Sequence, residues 1–150
     1  MLTLIRGLPN TGKSTLAQSI RSNTDVRLET DQFFIHPHTR EYCFDMSYLL
    51  FAHQWTRQQC KMWLNNRYNV IVSNTFIAFW EIAQYCDLLE GTNISLRIIE
   101  RTVVKGDNKH NVPVQTIERM KQRWQTKEYI LDTINIIYPD IVIADYEVIA

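Results

Sequence analysis

Apolar residues recur along the chain with two spacings, and the switches between them mark out a series of elements. Leu2 to Ile5 is a continuous apolar run, as expected of a buried strand, and Leu16-Ala17-Gln18-Ser19-Ile20 reads as an amphipathic first helix. Val26-Arg27-Leu28-Glu29-Thr30 alternates apolar and polar, a second strand that ends at Asp31. Phe33 to Tyr42 holds Pro37, two histidines and two charged residues, and reads as a loop or lid. Asp45 is suited to cap a long helix reaching about Asn66, with Leu49, Ala52, Trp55 or Thr56, Cys60 and Trp63 on its apolar side. Asn65 to Asn69 is a turn, Val70-Ile71-Val72 another buried strand, and Ile77 to Leu89 a helix stopped near Gly91. Ile94 to Ile99 is a fourth strand, followed by a polar stretch from Arg101 to Asn111. Pro113 opens a helix through Ile117, Met120 and Trp124, a further helical piece runs roughly from Glu128 to Ile137, and after Pro139 the run Ile141 to Ala144 is a last strand.

Strand and helix alternate, which predicts an α/β fold: a mostly parallel five-stranded sheet, right-handed crossovers and helices on both faces. Ligands in such sheets bind beyond the carboxyl ends of the strands. That rule gathers the segment after the first strand, Asp31, Ser73-Asn74-Thr75 and the 101–111 stretch at one end of the molecule.

The segment after the first strand carries the most specific chemistry. Gly7, Leu8, Pro9, Asn10, Thr11, Gly12, Lys13 and Ser14, followed by Thr15, spell G-x-x-x-x-G-K-S between a predicted strand and a predicted helix, the Walker A phosphate-binding context of a P-loop NTPase. Gly7 and Gly12 let the backbone turn without Cβ clashes, so successive N–H groups make an anion nest at a helix N-terminus. Lys13 can reach the β- and γ-phosphates of ATP, and the Ser14 hydroxyl can ligate Mg²⁺. Asn10 stands where many such loops carry a third glycine, and asparagine tolerates left-handed backbone.

Bulk properties narrow the reading. A length of 150 residues predicts one domain, and a formal net charge of zero argues against loose electrostatic binding to nucleic acid or a membrane surface. No apolar run approaches membrane-spanning length and no charged-then-apolar leader precedes Leu2, so a cytoplasmic location is expected. Cys43, Cys60 and Cys86 are odd in number without C-x-x-C spacing, as expected of reduced, structural thiols, and His36 and His38 belong to a polar loop. The apolar tail Ile141 to Ile149 has no evident match within the chain, which leaves a homodimer open.

Three acidic residues follow apolar strands: Asp31, Glu100 and Asp145. Asp145 lies far along the chain, past the expected metal-binding strand. The strand at 70–72, the usual donor of a metal-binding carboxylate, ends in Ser73-Asn74. Asp31 remains: it can orient and deprotonate an attacking hydroxyl, hold Mg²⁺ through water, or cap a turn.

Here the sequence resembles a family. Arg6 to Pro9 with Thr11 to Ala17, then Thr30-Asp31-Gln32-Phe33-Phe34, are similar to the AAA-type P-loop kinases, grouped with the kinase domain of bacteriophage polynucleotide kinase and with NEDD4-binding-protein-like domains. Further matches follow in order: Ala52-His53-Gln54-Trp55, Asn74-Thr75, Trp80-Glu81, Tyr85, Asn108-Lys109-His110, Val112-Pro113, Ile117, Arg119-Met120 and Arg123-Trp124, so the resemblance covers about Met1 to Gln125. It implies ATP-dependent phosphotransfer to a hydroxyl acceptor, with a nucleic-acid 5′-hydroxyl first and a nucleoside or nucleotide-sugar next. It also implies Asp31 as general base, and a short lid that brings cations to the transferred phosphoryl, for which Arg101, Lys105, Lys109 and Arg123 are the candidates. The chain departs from the pattern at Phe34, where the family has a basic residue, at Phe76, at Asp107, and in the missing acid near Asn74. The last departure keeps a non-catalytic nucleotide-binding module as the alternative.

Overall fold

The computed structural model describes residues 1–104 and 111–150. Its centre is a five-stranded sheet built from β1 (Leu2–Arg6), β2 (Val26–Leu28), β3 (Val70–Ser73), β4 (Leu96–Arg101) and β5 (Ile143–Ile149). The order is β2-β3-β1-β4-β5, and every pairing within it is parallel. Joined to these are α1 (Lys13–Ile20), α2 (Leu49–Asn65), α3 (Phe79–Leu89), α4 (Val114–Arg123) and α5 (Lys127–Ile137). The parallel sheet with helices on its faces is the α/β architecture that the alternation predicts.

The two-residue period of β1 sorts the core. Leu2 and Leu4 point to one face, where Cys60 and Leu64 of α2, Ile82, Cys86 and Leu89 of α3, and Ile130 and Ile134 of α5 cover them. Ile5 points to the other face and packs with Ile71, Ile99 and Ala17 of α1. The helices therefore lie on both faces, unevenly divided. Along α2, the buried positions Ala52, Thr56, Cys60 and Leu64 recur every four residues, the spacing of one helical stripe.

Several boundaries differ from expectation because neighbouring strands extend them. β4 includes Glu100 and Arg101, which pair with β5 at Val148 and Ile149. Two polar residues thereby join a strand that the apolar run ends at Ile99. The C-terminal tail is not unmatched, as its sequence suggests: Ile143–Ile149 forms the edge strand beside β4. Asp45 caps a 3₁₀ turn at Met46–Tyr48 by accepting from the Ser47 N–H at 2.9 Å, and α2 begins after it. No described helix is long and apolar enough to cross a membrane.

Candidate active site

The loop between β1 and α1 is built by four local constraints. Asn10 takes φ 67° and Gly12 φ 79°, so the left-handed backbone expected of Asn10 is present. Gly7 is needed for a different reason, close approach: a Cβ there would lie 2.5 Å from Thr11 Oγ1 and 2.9 Å from the Arg101 carbonyl oxygen. The Thr11 hydroxyl donates to the Leu8 carbonyl at 2.8 Å, closing the turn, while the Gly7 N–H donates to Thr75 O at 3.2 Å and ties the loop to the end of β3. Alanine at position 7 forces these contacts apart. Overpacking of that kind costs about 1–3 kcal/mol, so Gly7→Ala is expected to weaken nucleotide binding by roughly five- to a hundredfold. Calorimetric titration with Mg-ADP checks this, and an unchanged affinity would contradict the steric account.

Residues 7–14 suit a polyphosphate. Gly12 caps α1 with no side-chain hydrogen bond and the first turn holds no acidic residue, so the helix-start N–H groups lack side-chain acceptors. Half-buried Lys13 folds over the loop and donates to the Leu8 carbonyl at 2.9 Å. Desolvation lowers its pKa from 10.5 to about 8, opposed by the charges of Glu29 and Asp31. A lysine held in this way gains from an incoming anion. Below pH 8 its buried charge costs stability, and that cost fades as pH rises from about 8 towards 10.5. A triphosphate restores the charged form, so Mg-ATP binding near pH 8.5 is expected to take up roughly three-quarters of a proton, and affinity to fall as pH rises through about 8. Binding enthalpies in buffers of different ionisation heat measure the uptake; an uptake undiminished in Lys13→Ala would assign it elsewhere.

Metal donors are sparse. Ser14 is exposed at the start of α1, and no group of three or more His, Cys, Asp or Glu is assembled among the described residues. The Ser73 hydroxyl, at the last position of β3 and opposite Ile5, is buried without a hydrogen-bond partner among the described residues. A lone hydroxyl at the start of α1 is compatible with Mg²⁺, which keeps several waters and takes most other ligands from phosphate.

Asp31 is not in a strand, as its sequence suggests, but in a 3₁₀ turn, Thr30–Phe34, after β2. Glu29 and Gln32 close that turn with a reciprocal capping box. Asn74 anchors it from the neighbouring strand end: its Oδ1 accepts from the Thr30 N–H at 3.1 Å, while its own N–H donates to Ile5 O at 3.2 Å. The residue that stands in place of a carboxylate thus joins β1, β3 and the Asp31 turn. Thr30 is further held by the Thr56 hydroxyl at 3.2 Å and lies 3.3 Å from His53 Nδ1, both residues from α2. Burial, then the Arg57 charge, lowers the His53 pKa, and Asp31 opposes them. Tyr42 OH donates to Asp31 Oδ1 at 3.1 Å.

The proposed lid cations scatter. Arg101 does not lie in a polar lid: it is the buried last residue of β4, and its Nε donates to the Thr11 carbonyl at 3.0 Å, bracing the phosphate loop from behind. The pairing with β5 that lengthens β4 is the reason. Arg123 ends α4 in solvent, and no hydrogen bond or ion pair among the described residues joins it to the loop. Lys105 and Lys109 lie outside the described residues. Glu100 and Asp145 stay away from the loop's front: Glu100 is buried against Tyr146, and Asp145 is exposed in β5.

Sequence reasoning gave Arg6 no role. It is wholly buried one residue before Gly7. Its guanidinium donates to Phe76 O (2.9 Å), Ile77 O (3.0 Å), Gln125 O (2.9 Å) and Tyr146 OH (2.9 Å), lies 3.5 Å from Glu100 Oε2, and stacks 3.9 Å from the Trp124 ring centroid. Phe76 presents its carbonyl from φ 43°, an unusual conformation for a bulky residue, and its buried ring meets Tyr85 edge-on. The two-residue period places Arg6 on the same face as Leu2 and Leu4, which was the available signal that its charge would be buried. Beside this hub, a cleft of about 290 Å³ is lined by Leu8, Arg101, Thr102, Lys121 and Trp124. It lies on the β4 side of the loop; Asp31 lies on the β2 side.

Comparison with known proteins bears on the family and the fold. A family model described as an AAA domain matches residues 2–126. NEDD4-binding protein 2 of Homo sapiens is 29% identical over 136 residues, covering 83% of this chain but only 8% of that protein's length. Among solved structures, Chaetomium thermophilum Kti12 in complex with ADP-AlF3 has a TM-score of 0.65 at 13% identity, covering 100% of this chain and 89% of that one. A chain of the Pnkp1/Rnl/Hen1 complex gives 0.52 at 21% identity (84% and 39% covered), and the Mycobacterium tuberculosis APS kinase CysC 0.53 at 11% (81% and 94%). At these identities the structural likeness is one of fold.

Proposed function

The chain belongs to the AAA domain family, and from that premise we propose that residues 1–150 form one kinase-like unit that moves the γ-phosphate of ATP to a hydroxyl acceptor. The observation that carries this reading is the build of residues 7–14: helix-start N–H groups without side-chain acceptors and a half-buried Lys13 folded over them, its charge favoured by the carboxylates of Glu29 and, less strongly, Asp31. A phosphate-gripping cation facing a carboxylate is the arrangement phosphoryl transfer needs, because the nucleophile must be aligned with the leaving group while charge on the transferred phosphoryl is neutralised.

In this reading residues 7–15 wrap the phosphates, Lys13 spans the β- and γ-groups, and the adenine side of ATP extends towards the Leu8–Trp124 cleft. Ser14, with Asp31 acting through water, would hold Mg²⁺, which when bound neutralises phosphate charge. Asp31 accepts the proton of the acceptor hydroxyl as its oxygen bonds phosphorus and ADP departs. Arg101 acts by bracing the loop; Lys105, Lys109 and Arg123 remain the candidates for reaching the phosphoryl. The ADP-AlF3 complex of Kti12, a protein of the same fold, supports a nucleotide at this loop.

The leading acceptor is a nucleic-acid 5′-hydroxyl, with nucleosides and nucleotide-sugars next. A nucleotide-binding module without transfer is the second reading, and the absence of a carboxylate at Ser73-Asn74 favours it. Asn74 has a structural task in placing the Asp31 turn, which weighs for the enzyme. Labelled γ-phosphate offered with a panel of 5′-hydroxyl oligonucleotides, nucleosides and nucleotide-sugars separates the two. Transfer to any of them supports the kinase; tight Mg-ATP binding with the γ-phosphate intact over hours sinks it.

A further inference from the structure

The buried stripe of α2 runs through Ala52, Thr56, Cys60 and Leu64. Its first turn is apolar away from that stripe as well. Leu50 stands two residues before Ala52, about 200° round the helix, and is 83% exposed. The row it begins continues as Gln54 and Gln58, polar as an outward row should be. In the turn that leads into α2, Met46 is 74% exposed, and Phe44 is exposed too. Tyr48 and Phe51, also exposed, set their rings 6.2 Å apart beside them. None of these five side chains belongs to either core cluster. At about 200 Å² for a fully exposed side chain of this size, they leave roughly 650 Å² of mostly apolar surface in water, more than the largest patch usual on a monomer.

We propose that this corner is the twofold interface of a homodimer, the start of α2 in one copy packing on the start of α2 in the other. Two such faces together bury about 1,300 Å², inside the range of roughly 1,200–2,000 Å² of a stable interface. A twofold contact sets a patch against itself, so a charged patch repels its copy. Among residues 42–56, Asp45 is the only Asp, Glu, Lys or Arg, and its carboxylate already accepts from the Ser47 N–H at 2.9 Å and the Ser47 hydroxyl at 2.7 Å. Aromatic and methionine side chains with little charge are the composition of an interface centre. The outer edge of β5, the other surface suited to self-association, is blunted. Lys127 Nζ takes the Tyr146 carbonyl at 3.0 Å. Every antiparallel register that pairs most of Ile143–Ile149 with its copy also sets Asp145 or Glu147 opposite another acid.

Sedimentation velocity of the 150-residue chain between about 1 and 100 µM is expected to show a dimer that forms with rising concentration. Leu50→Asp should weaken it at least about a hundredfold, because symmetry puts two unpaired carboxylates into one contact. Position 50 lies in the first turn of α2, where a carboxylate suits the helix dipole, so this variant should fold. An unchanged melt of the dilute protein and an unchanged Mg-ADP affinity check that it does. Met46→Asp repeats the test outside the helix, and Leu50→Met should keep the dimer. Ile136→Asp, at a comparably exposed apolar position on α5, should have no effect. A chain that stays monomeric throughout the range overturns the proposal, as does a dimer that survives both Leu50→Asp and Met46→Asp. A dimer that Ile136→Asp dissociates equally well also overturns it. So does a monomer that floats with phosphatidylcholine vesicles in a Leu50-dependent way, which gives the corner to lipid. No outcome depends on phosphate transfer, so the dimer and the kinase reading stand or fall separately.

Discussion

Asp31→Asn is expected to slow phosphotransfer by between about a hundredfold and ten-thousandfold, the range set by loss of a positioned general base. The substitution keeps the shape of the side chain and an oxygen for the Tyr42 hydroxyl, so the 3₁₀ turn anchored by Asn74 should persist. What disappears is the ability to take a proton. A carbonyl oxygen can still orient an acceptor hydroxyl, which is why some activity should survive. Removing the negative charge also takes away one of the two groups that oppose desolvation of Lys13, so the lysine should titrate lower than in the wild type. Single-turnover kinetics with saturating Mg-ATP measure the chemical step directly. Added Mg²⁺ then separates two roles: a carboxylate that serves the metal through water is rescued by excess metal, and one that serves as base is not. A variant that transfers phosphate at the wild-type rate removes Asp31 from the chemistry.

Arg6→Met carries the largest expected stability effect, a loss of about 3–5 kcal/mol. Methionine fills much of the volume, so the loss is electrostatic and not a cavity. Glu100 and Tyr146 would remain, with a 2.6 Å hydrogen bond between them and no cation beside the carboxylate. The carbonyls of Phe76, Ile77 and Gln125 would lose their guanidinium donors together, and each unsatisfied buried acceptor costs about 1–3 kcal/mol before relaxation. Adding Glu100→Gln should recover part of the loss, because the orphaned charge goes with it. Denaturant melts of the single and double variants check both statements. A single variant within 1 kcal/mol of wild type would show that Arg6 is merely accommodated. Since Arg6 immediately precedes Gly7, the same variant should loosen the root of the phosphate loop.

How far each of these residues could be read beforehand depends on the kind of contact that defines it. The loop from Gly7 to Thr15 was legible because its turns, its left-handed Asn10 and its helix cap are made within a few residues. The five strands and the long helices were legible because the core imposes a period on them. Their ends were not, and Arg101 shows why. Ile99 ends the apolar run, but ladder bonds to β5 carry the strand two residues further and turn an expected lid cation into a brace on the Thr11 carbonyl. The C-terminal run reads as a strand, Ile141 to Ala144, without a partner, because nothing in its own residues says which strand lies beside it. Asn74 reads as a missing acid, and only the neighbouring turn reveals an amide that holds Thr30.

The sequence alone therefore determined the layered α/β architecture, the phosphate loop and the position of Asp31 along the chain. Each follows from backbone preference and hydrophobic period, which act between near neighbours. The tertiary structure decided which charges meet. Arg6 finds Glu100 across 94 residues and Tyr146 across 140, Asn74 reaches Thr30 across 44, and the Tyr42 ring comes back over Asp31. Such pairings have no periodic signature, because they arise only once burial has brought distant strand ends together and left polar groups no solvent to bond.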